Sequence, residues 1–521
     1  MEETVLAKRG HGGYRQYRIP AMAVTPSGRI ITIYDGRYDF DDLPAPIDLV
    51  FRTSDDNGVT WSNQAIFREH SGVFGFGDAS IIVDPSVGDK GRVIVFYQHT
   101  KLAGFFESKI GTDLSDPEIA QIGLSYSDDD GNTWQHRYVT DQLKPEKIPG
   151  IFATSGMGGR ITTGEFAGRL LQSFVLRSNN ELFSQIGFSD DHGMSWSLGA
   201  VIPGGNETAI TGLADGSILF HSRGTPFRIA GRSIDGGLTV SEISPDEALP
   251  DPSDNGSLTT LSNGCLICTH NHDSDLRMNT VIKQSSDGGK TWSRGLVLEK
   301  GSSAYSTACE LKDGTIGVLF ERNAYVEMVF ARIKPTELIP IADLIHPDGR
   351  RDKVEFNIVP RFIRPARKGI ETLLTEQLPQ VPEVDMSSWR SSERKEIGSA
   401  DGSASGDPLL TTAQLNDLLG EVSPGLKLGD EIRLSGYLAN YTNKPLEGVE
   451  IKDSSGVVTV KSDQIHPGEK LCFLDRRQIV SSVDLLRGYV SMEFQWSSKG
   501  VVCVRKALNL STKDGLPVDP L

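Results

Sequence analysis

The sequence has no uninterrupted run of 18 apolar residues, so it offers no candidate for a membrane-spanning helix. Its first residues, MEETVLAKRG, have neither the basic start nor the apolar stretch of a secretion signal. A cytoplasmic location is expected for the chain as it stands, or a secreted or cell-surface one if Met1 begins a processed form. Basic residues are in deficit: 53 Lys and Arg against 69 Asp and Glu, a net charge of −16. A surface that acidic argues against nucleic acid as a partner, although a local group of Arg can still hold a small anion. Cysteine is scarce, at five residues. Cys265 and Cys268, in GCLIC, have no second pair to complete a zinc site, so buried thiols on strands are expected. Cys472 and Cys503 could pair only in an exported chain. His270 and His272, in THNHD, have no third ligand nearby. No Gly-rich phosphate loop and no Ser nucleophile elbow is present. Neither a metal nor a cofactor is expected.

What the sequence does contain is an eight-residue box used five times. Ser54–Trp61 reads SDDNGVTW, or Ser-x-Asp-x-Gly-x-Thr-Trp. It returns at Ser127–Trp134, at Ser189–Trp196 with Ser195 for Thr, and at Ser285–Trp292. A worn copy starts at Ser233 and has Val240 where the others have Trp. Four of the six Trp in the chain end these boxes. Ser and Asp side chains can bond the backbone of a tight turn, and Gly supplies its positive φ. The Trp then leaves the turn and packs inward, fixing the loop to a sheet. DDDG at 128–131 hints at a calcium loop, but the box accounts for it fully.

The mean spacing of about 58 residues is too long for a hairpin and suits a four-stranded blade with one long connection. Short runs rich in β-branched and aromatic residues follow one another from Tyr17 to about Ile345, bounded by Gly, Asp or Asn. Residues 1–345 divided by the repeat give close to six units. An all-β fold is predicted: a six-bladed β-propeller, closed so that no sheet edge is free. Residues 346–425 are read as a segment trailing against the propeller, then a Ser/Gly-rich linker at 387–408, then a short helix at 412–419. Residues 426–521 resume strands without boxes and are read as a small β-sandwich of immunoglobulin type.

Tyr17-Arg18-Ile19-Pro20 stands at the head of the first strand of the repeat region. Together with the boxes it resembles the sialidase (neuraminidase) family over roughly residues 8–345. That resemblance implies an exo-α-sialidase that releases terminal sialic acid with retention. It also implies which residues form the site. Three Arg hold the substrate carboxylate, matching Arg18, Arg223 in FHSRG and Arg277 in DLRMN. A guanidinium is always charged and grips a carboxylate with two prongs. Tyr305, in SSAYST, matches the nucleophile, and Glu207, in GGNETAI, the base that takes its proton. A phenol suits an anomeric carbon that carries a carboxylate. A charged nucleophile 4 Å away would face about 4 kcal/mol of repulsion at an effective dielectric of 20.

Asp42, which opens Asp-x-Pro-x-Pro, matches the acid/base, with Asp39 and Asp41 as neighbours that could take its place. A loop closing over the sugar could desolvate this carboxyl and raise its pKa. Arg37 matches an Arg near O4 of the sugar, Asp78 an Asp lining the O4 and N-acyl pocket, and Glu321 a carboxylate that orients Arg18. Phe152 is a candidate for the pocket floor. The implied substrates are sialylated oligosaccharides, glycoproteins or glycolipids, and a monomer is expected. Transfer to another sugar, or a non-catalytic sialic-acid-binding propeller, are the alternative readings. The second fits poorly with a complete catalytic set in family order.

Overall fold

A computed structural model describes residues 1–178, 181–338, 354–364, 425–442, 444–467, 469–513 and 515. Up to residue 338 the described chain forms six sheets of four or five strands, paired antiparallel except for the short strand Gly156–Met157, which runs parallel to Gly75–Asp84. The first runs through Gln16–Val24, Ile30–Arg37, Ile47–Ser54 and Ala65–Arg68. Most innermost strands are almost wholly buried, as expected for strands covered on both faces; Gln16–Val24 is covered along all but its last residue. These strands meet in a ring. Gln16–Val24 touches both Gly75–Asp84 and Ser303–Glu310, and Ser257–Thr260 touches both Thr208–Gly212 and Ser303–Glu310. The architecture is a β-propeller.

The sixth sheet explains why there are only five boxes. Its fourth strand is Glu2–Lys8, which pairs antiparallel with Glu327–Ile333. The outer strand comes from the other end of the chain, so no third-to-fourth hairpin exists there to carry a box. This strand, absent from the sequence reading, joins the two ends of the ring and leaves no gap between first and last sheet.

The boxes all sit at one end of the sheets. Ile30 pairs with Ser54 where the first box begins, while Arg37 pairs with Ile47 at the opposite end. In each box the Ser hydroxyl accepts from the Gly amide four residues on at 2.9 Å. The Asp caps the Thr or Ser at the far side of the turn, as Asp56 does for Thr60. Gly58 has φ +83°, and a Cβ there would lie 2.2 Å from the Phe330 ring. Only Gly fits such a turn against the neighbouring sheet. Three box Trp then pack edge-to-face across the seam on the preceding sheet, each with ring centroids 4.9 Å apart: Trp61 on Phe330, Trp134 on Phe67, Trp196 on Phe96. Val240 packs with the cluster around Ile186 and so keeps the apolar role with a smaller side chain.

Beyond the propeller, two sheets enclose a second core. One has the order Val354–Arg364, Glu431–Asn440, Lys470–Ile479; the other Val458–Ile465, Leu446–Asp453, Tyr489–Ser498, Val501–Ser511. Ile432, Leu434, Val449, Ile451, Val490 and Phe494 are buried between them. One expectation needs correction. Val354–Arg364 does not trail against the propeller but pairs along its whole length with Glu431–Asn440, as an edge strand of the sandwich. Its alternation of apolar residues needs a sheet, and the partner lies some seventy residues downstream. Cys472 and Cys503 are both free; the Cys472 thiol faces Asp275 and Cys503 is exposed. Cys268 is buried on its strand as expected. The proposed linker at 387–408 and helix at 412–419 lie outside the described residues. Among the described residues no helix is long and apolar enough to cross a membrane.

Candidate active site

All the candidate side chains lie at the end of the ring opposite the boxes, where innermost strands begin and second strands finish. Three innermost strands carry a bulge there. The register slips between Arg18 and Ala21, between Gly77 and Ser80, and between Ser303 and Ser306. Each slip re-aims one side chain of the set: Arg18, Asp78 and Tyr305. Ile19 and Asp78 also have positive φ, 60° and 57°. For a β-branched Ile that is a strained backbone, and such strain persists where function or packing holds it.

Tyr305 is the centre of the arrangement and is only 7% exposed. Its hydroxyl donates to Glu207 Oε2 at 2.5 Å and accepts from Arg223 Nη1 at 2.5 Å. Arg223 is also ion-paired with Glu207, and its amide donates to the Glu207 carbonyl at 2.9 Å. Arg18 and Arg277 each hold their guanidinium carbon 5.4 Å from the centre of the Tyr305 ring. The three Arg, drawn from three different sheets, therefore converge on one phenol. Burial pushes the Tyr305 hydroxyl up against the pull of Arg223, so it is a neutral phenol whose proton already faces a carboxylate.

Each Arg is held by a partner that sets its plane. Arg18 Nε donates to Glu321 Oε1 at 2.9 Å, and the Ile19 amide donates to the same oxygen at 2.6 Å. Glu321 is fully buried, so this charge exists to serve its two donors. Arg277 Nε lies 3.3 Å from Asp254 Oδ1, and its other nitrogens reach Tyr325 Oη and the Ser253 carbonyl. Burial, against the pull of Arg277, raises the Asp254 carboxyl to about 7.

A second group borders the first. Arg37 Nη2 donates to Asp35 Oδ2 at 2.8 Å and to Asp42 Oδ1 at 3.0 Å, while its Nη1 donates to the Asp41 carbonyl. The Leu43 amide also donates to Asp42. Burial among the surrounding strands pushes the Asp42 carboxyl up, but Arg37 and Arg18 outweigh it and hold the group below the ordinary carboxylate range. With 69% of the side chain exposed, water keeps the burial contribution small. The free protein thus carries Asp42 ionised, opposite to the rise expected for a closed loop. Asp78 goes the other way. Burial, then the charges of Asp42 and Asp35, push its carboxyl well up. Carboxyls so close cannot all ionise, and their protons are divided unequally.

Of the neighbours of Asp42, Asp39 turns away from this cluster and pairs with Arg15 and Lys427. Phe152 is half-buried and packs on Phe105. His270 Nδ1 lies 2.9 Å from the Pro250 carbonyl, and among the described residues no group of three His, Cys, Asp or Glu is placed to hold a metal.

Sequence reasoning missed four residues of the cluster. Asp35 carries Arg37 and also accepts from the Asp78 amide at 3.2 Å. Asp254 faces Arg277. Ser155 donates to Glu207 Oε1 at 3.2 Å. Tyr325 lies under Arg18, its ring 4.0 Å from the guanidinium carbon. Tyr325 ends three successive positive-φ residues, Asn323, Ala324 and Tyr325. Only that turn, in ERNAYV, could have drawn attention to it.

The chain is similar to known proteins over its propeller. The BNR repeat-like domain family matches residues 89–318. A sialidase of Micromonospora viridifaciens is 34% identical over 339 residues, 61% of this chain and 52% of the relative. A sialidase of Bacteroides fragilis is 29% identical over 350 residues, 62% of this chain and 63% of the relative. The solved structure of a Hadza microbial sialidase superposes with a TM-score of 0.55 at 25% identity, covering 63% of this chain and 67% of that one. The chain thus spans about half the length of the first relative and just under two thirds of the second.

Proposed function

We propose that this protein, similar over its propeller to bacterial sialidases, is a retaining exo-α-sialidase acting on sialylated glycans. The observation that carries the reading is the Tyr305 hydroxyl shared between Glu207 and Arg223, with Arg18 and Arg277 against the same ring. Three desolvated guanidinium groups suit a carboxylate attached to the reacting carbon itself, each charge-assisted bond contributing about 1.5–3 kcal/mol. Tyrosine-using sialidases stand apart from glycosidases that attack with a carboxylate, for the electrostatic reason given above.

In the first step the Tyr305 oxygen attacks the anomeric carbon. Glu207 takes the phenol proton, and Asp42 gives a proton to the departing glycosidic oxygen as that bond breaks. In the second step Asp42, now a carboxylate, takes a proton from water. The water oxygen attacks the same carbon, and the Tyr305 oxygen leaves and recovers its proton from Glu207. Two inversions leave the configuration unchanged. Asp42 must gain a proton before the first step. A bound substrate carboxylate cancels part of the positive field of Arg18, and the sugar covers the exposed face of Asp42; both raise its pKa. Arg37 and Asp78 border the sugar on the Asp42 side, and Glu321 keeps Arg18 flat for its ligand.

The reading is tested by turnover of an aryl sialoside with wild type, Tyr305→Phe and Asp42→Ala, following the first-formed anomer by NMR. Release of the α-anomer by wild type, with both variants strongly impaired, is expected. Release of the β-anomer would exclude double displacement. Turnover of Asp42→Ala at the wild-type rate on a sialyl-lactose substrate would remove Asp42 as the acid. Sialic acid appearing on an added sugar rather than in solution would favour transfer over hydrolysis.

A further inference from the structure

Among the described residues the C-terminal sandwich touches the propeller beside two loops of the candidate site. The first is the loop that carries Asp42. Phe40, two residues earlier, is 5% exposed and belongs to the sandwich core, packed with Leu426, Ile432 and Leu434 among others. Above its ring, 4.1 Å away, lies the guanidinium of the fully buried Arg15. Arg15 joins the two bodies: one nitrogen meets Asp39 in the loop, the other meets Asp430 Oδ2 at 2.9 Å and the Gly425 carbonyl. Lys427 of the sandwich also reaches Asp39, at 3.6 Å.

The second contact holds the loop that carries Arg277. Leu276 and Met278 form one buried cluster with Tyr437 and Ala439 of the sandwich. Lys470 Nζ pairs with Asp273 at 2.6 Å, and Asp273 in turn accepts from the amides of Asp275 and Leu276. Residues on either side of Arg277 thus turn toward the sandwich while Arg277 itself turns toward Tyr305.

We propose that the sandwich is a positioning device for the site: Phe40 holds the Asp42 loop in place and Lys470 holds the Arg277 loop. The inference rests on the sialidase reading for what the two loops do, but not for the fact that they are held. An inter-domain contact in a two-domain chain is by default mobile unless it is apolar and well packed. Here a buried aromatic, a buried ion pair and a second apolar cluster tie both loops to the sandwich, in addition to the bonds each loop makes within the propeller. A displacement of about 1 Å at a reacting group costs on the order of a hundredfold in rate. Phe40 and Lys470 touch no substrate; they act through Asp42 and Arg277.

Two single variants of the full chain, Phe40→Ala and Lys470→Ala, test this. General acid assistance matters most for a poor leaving group, and kcat/KM reports the glycosylation step without the later attack of water, so Phe40→Ala should lose about tenfold or more in kcat/KM on a sialyl-lactose and about threefold or less on a 4-nitrophenyl sialoside. Lys470→Ala should instead raise KM on both substrates about tenfold with little change in kcat, because Arg277 grips the carboxylate that both share. Equal losses of kcat/KM on the two substrates in Phe40→Ala, or unaltered kinetics in both variants, would overturn the proposal. Hydrogen exchange separates this from the activity itself. Amides at 38–46 should lose protection in Phe40→Ala while 274–279 keep theirs, with the reverse in Lys470→Ala. Unchanged protection in both would sink the positioning role even in an active enzyme. An inactive wild type with this exchange pattern would remove the sialidase reading and leave the positioning intact.

Discussion

The Tyr305 hydroxyl donates to Glu207, 98 residues away, across 2.5 Å at the mouth of a ring of sheets. A buried phenol beside a buried carboxylate is costly unless the pair does something, and Arg223 bonded to both offsets the charge. Removal of the phenol oxygen in Tyr305→Phe is expected to cost about 10³-fold or more in kcat on any sialoside. Affinity for an unreactive sialic acid analogue should stay within a fewfold, since the three Arg remain. Steady-state kinetics and calorimetric binding of the two proteins check this.

Glu207→Gln keeps a hydrogen-bond partner for Tyr305 but removes the base. A loss of about 10²–10⁴-fold in kcat is expected, with the fold and the analogue affinity retained. A Gln variant as fast as wild type would mean that something else takes the phenol proton.

Glu321→Gln addresses the orientation of Arg18. The buried carboxylate accepts from both Arg18 and the Ile19 amide, and an amide in its place loses the charge that holds the guanidinium. Charge-assisted bonds are worth about 1.5–3 kcal/mol, so KM should rise about 10- to 150-fold with kcat little changed. The ratio of the two constants is the readout.

Asp254 gives the site a pH dependence. Burial, against the pull of Arg277, places its carboxyl at about 7. Below that pH it is neutral, and Arg277 presents its full charge to an anionic ligand. Above it, the carboxylate competes for Arg277 and repels the ligand. Affinity for a sialic acid analogue should therefore fall as pH rises through about 7, by up to about tenfold per unit. Asp254→Asn cannot ionise and should bind equally at pH 6 and pH 8.5. Titration calorimetry across that range decides the matter, and a wild-type profile that is flat or falls toward acid would contradict it.

The box Trp hold the ring together away from the site. Trp196 is 3% exposed and packs edge-to-face on Phe96 of the neighbouring sheet. Trp196→Ala should cost about 3–5 kcal/mol of stability, visible as a lower melting temperature, while kcat/KM of the folded protein is unchanged.

Much of this was legible before any coordinates because the repeat is local. The box fits in eight residues, and every contact that defines it, Ser54 to Gly58 or Asp56 to Thr60, closes within that span. The same holds for short strands bounded by turn residues. The candidate residues could be named through a resemblance, but their supports could not. Asp35, Asp254 and Tyr325 sit in unremarkable strings, and their role follows only from bulges and left-handed turns that no residue type announces. The pairing of Val354–Arg364 with a strand beyond a long intervening segment was invisible for the same reason. So were Glu2–Lys8 closing the ring and Phe40 reaching into the sandwich: long-range partners leave no local mark.

The most direct measurement is to trap the covalent species. A fluorinated sialyl fluoride that forms the glycosyl-enzyme quickly and releases it slowly can be followed by peptide mass spectrometry. One label on the peptide containing Tyr305, missing from Tyr305→Phe, is the predicted result. A label on Glu207 or Asp42, or turnover of the reagent with no labelled peptide at any time, would contradict a phenol that attacks the sugar.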